Sequence, residues 1–303
     1  MSIPSQHRLA IIFLDTDKHA SPFEPLFVAD LFPDALILTY SNVEPEDAKK
    51  IVQDAMFPRG PKGVKRTKIF IGGSDVNKVE KIVEAVKQSM FPPFELAVLV
   101  DPRGNNTTAA AAVAKMLQLS LKHGLGGLEG KNITILAGTG PVGFASAVLA
   151  SMEGASVVIT SRSLERAQSV AQRVNREVGS EKARGVKAST PEEVGKAIEG
   201  ADMVLATGAV GIRLLTLDIL RQYGKRVKIV ADVNAIPPTG IEGLEPGDED
   251  KEIIPGVYGV GALRIGALKN TILLELFKKL AQTPKGILDY RAAYEIAKSL
   301  ISK

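Results

Sequence analysis

Short apolar runs alternate with amphipathic stretches along the first third of the chain. LAIIFLD (9–15), ALILTYS (35–41), TKIFIGG (67–73) and ELAVLVD (95–101) are rich in Ile, Leu, Val and Phe and close on Asp, Ser or Gly. Unbroken apolar character over so few residues predicts buried strands. Between them, residues 23–31, 45–55 and 75–89 carry helical spacing, and TTAAAAVAKMLQLSLKHG (107–124) predicts a further helix after the fourth strand. Strands alternating with helices of this length predict a parallel sheet with helices packed on it.

The glycines of GLGGLEGK (124–131) interrupt the pattern and predict a hinge or boundary. The alternation then restarts, with strands over 131–138, 155–162, 183–189, 201–208, 226–234 and 256–261 and helices over 141–154, 164–179 and 190–200. Thr190 is the expected N-cap of the last of these helices, with Pro191 in its first turn. Two helical stretches, 266–281 and 289–302, lie beyond the last strand and are expected to cross back to the first domain. The predicted fold class is α/β with two domains, each a mostly parallel sheet with helices on its faces. Residues 1–123 plus 266–303 form one domain and 124–265 the other.

Composition narrows the chemistry. The chain has 303 residues, enough for two domains. Lys plus Arg exceed Asp plus Glu by 38 − 34 = 4, a scattered surplus that gives no nucleic-acid footprint but suits an anionic ligand. There is no cysteine, which excludes disulfides, zinc–thiolate sites and thiol nucleophiles. His7, His19 and His123 share no metal-ligand spacing, so no metal is expected. MSIPSQHR at the N-terminus lacks the apolar stretch of a secretory leader, and no apolar run is long enough to span a bilayer. A soluble cytoplasmic protein without a membrane partner is the expectation.

Gly138-Thr139-Gly140-Pro141-Val142-Gly143 matches G-x-G-x-x-G between a predicted strand and a predicted helix. That context marks a Rossmann-type dinucleotide fingerprint. Gly138 is expected to permit the tight turn, Gly140 to let backbone approach a pyrophosphate, and Gly143 to let helix pack close to strand. Free N–H groups and the positive dipole end at the helix start favour phosphate. The next strand ends in Ser161-Arg162-Ser163, where an NAD site places an acid for the ribose 2′-hydroxyl. An arginine flanked by hydroxyls suits a 2′-phosphate instead. NADP is therefore the expected cofactor, with NAD a weaker alternative.

Thr207-Gly208-Ala209 and the segment from Asp232 to Asn234 follow later strands and are candidates for the nicotinamide end, although Asp232 and Asn234 also suit plain turns. In the first domain, Asp15-Thr16-Asp17, Gly73-Ser74-Asp75 and the stretch DPRGNNTT, with Asn105, Asn106 and Thr107, stand at the ends of three strands. Asp75 also reads as an N-cap, and so do Asn106 and Thr107.

FLDTDKHASPFEP (13–25), IFIGGSD (69–75), DPRGNNTTAAAAVA (101–114), ILAGTGPVG (135–143), ADVNAIPPTGIEG (231–243) and GALRIGALK (261–269), in this order, resemble the bacterial NADP-dependent methylene-tetrahydromethanopterin dehydrogenases. The resemblance implies a pterin domain, a central NADP domain and a cleft that closes on both substrates. It implies hydride transfer from the methylene bridge of the reduced pterin to the nicotinamide, leaving a methenyl cation, and assembly as a homo-oligomer. It places the family's pterin-side phenylalanine on Phe23, as a ring wall, and its lysine on Lys269, read as orienting a pterin carbonyl or tail group. Asp15, Asp17, Gly73, Asn105, Asn106 and Thr107 join them as substrate-side candidates. ALKNTILLELF (267–277) departs from the best-known members by lacking a histidine one turn beyond Lys269. Two other readings stay open. One is a methylenetetrahydrofolate dehydrogenase, whose cyclohydrolase variants use Tyr-x-x-x-Lys; Tyr40, Tyr223, Tyr258 and Tyr290 have no lysine four residues on, and Tyr294 alone does, with Lys298. The other is a non-catalytic NADP-binding sensor.

Overall fold

The computed structural model describes residues 7–302. In chain order the elements are β1 (Ala10–Asp15), α1 (Phe23–Leu31), β2 (Leu36–Tyr40), α2 (Pro45–Met56), α3 (Gly60–Gly63), β3 (Thr67–Gly72), α4 (Val76–Ser89), β4 (Ala97–Val100) and α5 (Asn105–Lys122). They continue with β5 (Asn132–Leu136), α6 (Pro141–Met152), β6 (Ser156–Ser161), α7 (Leu164–Val178), β7 (Ala183–Lys187), α8 (Pro191–Ile198), β8 (Met203–Ala206), α9 (Leu217–Tyr223) and β9 (Ile229–Asp232). The chain ends with β10 (Glu249–Ile254), β11 (Val257–Val260), α10 (Ala262–Gln282), β12 (Gly286–Leu288) and α11 (Tyr290–Ile301). Contacts divide the chain into two compact units. One runs to Asn106 and includes Thr271–Ile296; the other is Thr107–Asn270 with the residues from Ala297 on.

The sheet of the first unit has the order β2-β1-β3-β4-β12, and all its neighbours are parallel. β1, β3 and β4 are buried along their whole length, as their apolar runs require. Ile12, Leu14, Ile69, Ile71 and Val98 pack one face against Val52 and Met56 of α2 and Ile82 and Val86 of α4. Both helices read amphipathic for that reason: α2 buries Ala48, Val52 and Met56, four residues apart. On the other face the rings of Phe13, Phe70 and Phe277 lie 5.2–6.3 Å apart. β2 departs from the expectation of a buried strand. It has a partner on one side only, and Leu36, Leu38 and Tyr40 are exposed. The chain leaves β1 for β2 on one side and then places β3 on the other, so strand order reverses between β1 and β3. Ligands bind outside the carboxyl ends of strands at such a point. Asp15 and Gly72, the last residues of β1 and β3, are register partners there.

The sheet of the second unit runs β7-β6-β5-β8-β9-β11-β10 and is parallel except for the β10–β11 pair. Its order reverses between β5 and β8, directly behind the glycine loop. Leu136, Val204, Ala206 and Val230 form a core with Ile198, Leu215 and Leu220. Thr190 caps α8 with Pro191 in its first turn, as the sequence predicts, and Glu193 caps it reciprocally. Both sheets are thus mostly parallel and flanked by helices.

Candidate functional site

The glycine loop joins β5 to α6. The residue that takes the left-handed turn is Ala137, with φ 52°, rather than Gly138. Gly138 is needed for a different reason: a Cβ there would lie 2.9 Å from Ile135 Cγ2 and 3.0 Å from the Ile135 carbonyl oxygen. Gly143 is forced by backbone, since its Cβ would stand 2.5 Å from the Gly138 oxygen. At Gly140, the N-cap of α6, nothing lies within 4 Å of where a Cβ would be, and the helix has no side-chain cap. An open cradle ahead of uncapped N–H groups fits a pyrophosphate. Thr139 and Val142 are half-buried and Pro141 is exposed. Thr207 braces the loop from the next strand: its N–H donates to the Leu136 oxygen at 3.0 Å and its hydroxyl to the same oxygen at 3.2 Å. Gly208 is half-buried beside it and Ala209 exposed.

At the end of β6, the Ser163 hydroxyl caps α7 by accepting from the Arg166 N–H, and the Ser161 hydroxyl accepts from the Ser163 N–H at 3.3 Å. Arg162 between them is exposed, and among the described residues it makes no hydrogen bond or ion pair. Asp232 and Asn234 are turned inward. Asp232 accepts from the N–H groups of Asn234 (2.9 Å) and Ile241 (3.0 Å), while Asn234 accepts from the Ile236 N–H at 3.1 Å. Burial pushes the Asp232 carboxyl up, against the pull of these N–H bonds. The two residues build the 232–241 loop, as turn chemistry prescribes.

The first unit gathers its polar groups where β1, β3 and β4 end. Asp15 accepts from the N–H groups of Asp17 and Ser21, both at 2.9 Å. Asp17 accepts from the Ser74 N–H at 3.0 Å and the Ser74 hydroxyl at 2.6 Å, and from the Arg103 fork. Burial works against the charge on Asp17, but the Ser74 and Arg103 bonds outweigh it and hold the carboxyl at about 2. Gly73 lets the β1 and β3 loops touch: it has φ 118°, and a Cβ would stand 1.9 Å from Thr16 Oγ1. Arg103 has φ 49° and ψ 35°, a left-handed backbone that a side chain adopts at a cost where the surroundings impose it.

The cap of α5 is also not the expected one. Asn105 and Asn106 already lie in the helix, and Asp101 serves by accepting the Asn106 N–H at 2.9 Å, while the Asn106 amide donates to the Val100 oxygen at 2.7 Å. Thr107 is fully buried. Asp75 caps α4 through the Lys78 N–H. Phe23 is 41% exposed, its ring 5.0 Å from that of Phe27 in the same unit, and Lys269 is half-buried on α10 among residues of the second unit. The sequence singles out neither Arg103 nor Glu24. Arg103 lay within the quoted DPRGNNTT stretch, but its left-handed backbone has no sequence signal. No three His, Asp or Glu residues among those described could hold a metal ion. No helix among them is long and apolar enough to cross a membrane. A cavity of about 440 Å³ opens beside Asn132, Ser156, Ala183 and Arg226, where β5, β6 and β7 begin, and touches none of these residues.

Residues 33–103 match the family described as methylene-tetrahydromethanopterin dehydrogenase, N-terminal. Two proteins of Methylorubrum extorquens are similar along almost the whole chain. The bifunctional protein MdtA is 38% identical over 288 residues, covering 94% of this chain and 96% of that one. The NAD(P)-dependent methylenetetrahydromethanopterin dehydrogenase is 34% identical over 283 residues, covering 92% and 94%. Among solved structures, quinate dehydrogenase from Corynebacterium glutamicum in complex with NAD superposes with TM-score 0.54 at 13% identity, covering 98% of this chain and all of that one. Shikimate 5-dehydrogenase from Listeria monocytogenes, in complex with shikimate and NAD, gives 0.52 at 15%, covering 97% of each. Such likeness establishes the fold alone, since ornithine carbamoyltransferase from Pyrococcus furiosus shares it at TM-score 0.53 and 10% identity, over 91% of this chain and 84% of that one. Identity of 34–38% over more than nine-tenths of the chain carries more: the chain belongs to the methylene-tetrahydromethanopterin dehydrogenase family.

Proposed function

We propose that the protein is an NADP-dependent oxidoreductase of one-carbon metabolism that moves a hydride reversibly from the methylene bridge of methylene-tetrahydromethanopterin to the cofactor, with NAD as a weaker substitute. The observation that carries this reading is the full-length identity to a relative bearing that name. Residues 124–265 serve the cofactor in this reading, and residues 1–123 plus 266–303 the pterin. The loop from Gly138 to Gly143 holds the pyrophosphate, Arg162 with Ser161 and Ser163 the 2′-phosphate, and Thr207, Gly208 and Ala209 the nicotinamide end, over a floor shaped by Asp232 and Asn234. When bound, the nicotinamide supplies the hydride acceptor. Phe23 walls the pterin ring and Lys269 orients a carbonyl or tail group. Asp15, Asp17, Gly73, Asn105, Asn106 and Thr107 shape the pterin pocket. The step moves no proton, so the chain's task is alignment of two rings and exclusion of water, and such positioning lowers a barrier by up to about 7–11 kcal/mol at the ideal limit. A cytoplasmic homo-oligomer is part of the same reading.

The test is a two-by-two assay of purified protein: methylene-tetrahydromethanopterin and methylene-tetrahydrofolate, each against NADP and NAD. Methenyl absorbance and NADPH should appear together, fastest with the methanopterin and NADP. No turnover with either pterin would sink the reading. Turnover with the folate alone would move the protein to the folate dehydrogenases.

A further inference from the structure

Carboxylate oxygens at the β1/β3 switch point are nearly all taken. Both oxygens of Asp15 accept backbone N–H groups, and both of Asp17 are held by Ser74 and Arg103. Asp101 is buried and caps α5. Glu24, on α1 directly after the β1 loop, is different. It is 6% exposed, yet among the described residues it makes no hydrogen bond or ion pair. Its charge is felt at Arg103, whose guanidinium is raised first by the Asp17 bond and further by Asp15, Asp17 and Glu24. A place in the first turn of a helix suits an acid, but it engages neither carboxylate oxygen, and both stay open to a ligand. A buried polar group at this edge is unmatched: the Thr16 hydroxyl has no partner and faces Gly73.

Resting on the proposed function, we propose that Glu24 is the carboxylate that recognises the pyrimidine edge of the tetrahydropterin. That edge presents N3–H and the 2-amino group as two parallel donors, the pattern a guanidinium shows to a carboxylate, and it matches two free carboxylate oxygens bidentately. Asp15 and Asp17 cannot take the role without surrendering the bonds that fix their loops. Arg103 is the positioning residue beside Glu24: by clamping Asp17 it keeps the β1, β3 and β4 loops together, and its own charge offsets part of the acidic cluster.

The test compares Glu24→Gln with wild type, using methylene-tetrahydromethanopterin and its analogue lacking the 2-amino group. In Glu24→Gln the pterin KM should rise about 10–100-fold, the size of a lost charge-assisted pair, while NADPH affinity by fluorescence titration stays within about twofold. Removing the 2-amino group should cost wild type about tenfold or more and the variant almost nothing further. An unchanged pterin KM, or an equal penalty from the analogue in both proteins, overturns the assignment. If Glu24→Gln does not fold, the wild-type comparison decides alone, and indifference to the 2-amino group overturns it. Calorimetric binding of tetrahydromethanopterin and its analogue needs no turnover, and so separates failure here from failure of the dehydrogenase reading.

Discussion

Arg162 directly follows β6 with a guanidinium that no described residue engages, between two serines whose hydroxyls already serve the backbone. In the proposed function this uncommitted cation takes the 2′-phosphate of NADP, since no acid stands there for a ribose 2′-hydroxyl. Arg162→Ala is expected to raise the NADP KM about 10–100-fold and to leave the NAD value within about twofold, because a charge-assisted contact is lost in one case only. Equal effects on both would refute the assignment. The exposed place of Arg162 after the strand that follows the glycine loop was legible from chemical type and offset alone. Ala137 and Asp101 were not. The sequence assigns the turn to Gly138, which is the residue type that accepts φ > 0 most cheaply, but the chain places Ala137 there and keeps Gly138 for its closeness to Ile135. It assigns the α5 cap to Asn106 or Thr107, which have the right side chains, but a single 3-10 turn over Pro102–Gly104 moves the helix start back and hands the cap to Asp101.

At the scale of the element, α6 separates two uses of glycine. Gly143 meets backbone at 2.5 Å, whereas Gly140 faces open space with φ −83°, where alanine is sterically allowed. The two substitutions should therefore separate. Gly143→Ala must push α6 away from the loop, lowering thermal stability by about 1–3 kcal/mol and NADP affinity with it. Gly140→Ala should leave the melting temperature unchanged and still weaken NADP, because its methyl occupies the approach of the pyrophosphate. Calorimetric titration beside a thermal melt tests both; a Gly140→Ala variant that binds NADP normally would remove the loop from the phosphate site. Elements with a strong period were readable, since α2, α4, α7 and α8 carry an apolar stripe opposite charge. β12 was not, because three residues cannot show a period, and β10 reads EDKEII, the composition of an exposed edge. The exposed face of β2 was missed for the converse reason: an apolar run announces a strand but not how many neighbours it has.

Across the whole molecule, the C-terminal segment returns to the first sheet through β12, and the return is fastened by a buried lysine. Lys68 on β3 is fully buried, and its ammonium donates to the carbonyl oxygens of Lys65, at 2.6 Å, and of Thr283, at the end of α10. Burial and then the neighbouring Arg66 push Lys68 down to about 8. In the unfolded chain a lysine titrates near 10.4, so from about pH 8 to about 10.4 the unfolded state holds a proton that the folded state has shed. The contribution of Lys68 to stability is therefore lowest below pH 8 and rises through that window. Asp17 behaves in the same sense at the acid end: held at about 2, it contributes fully above its unfolded value near 3.9 and is lost as pH falls toward 2. Lys68→Met removes the first of these terms. It also leaves the Lys65 and Thr283 carbonyls unmatched, a cost that does not vary with pH. The difference in stability between wild type and Lys68→Met should consequently widen as pH rises from 8 to 10, by on the order of 2 kcal/mol, and stay flat between pH 6 and 7. Thermal melts of the two proteins at these pH values measure it. A difference that narrows with rising pH would mean that the ammonium, not the amine, is the form the fold prefers, and that the two carbonyls outweigh the burial.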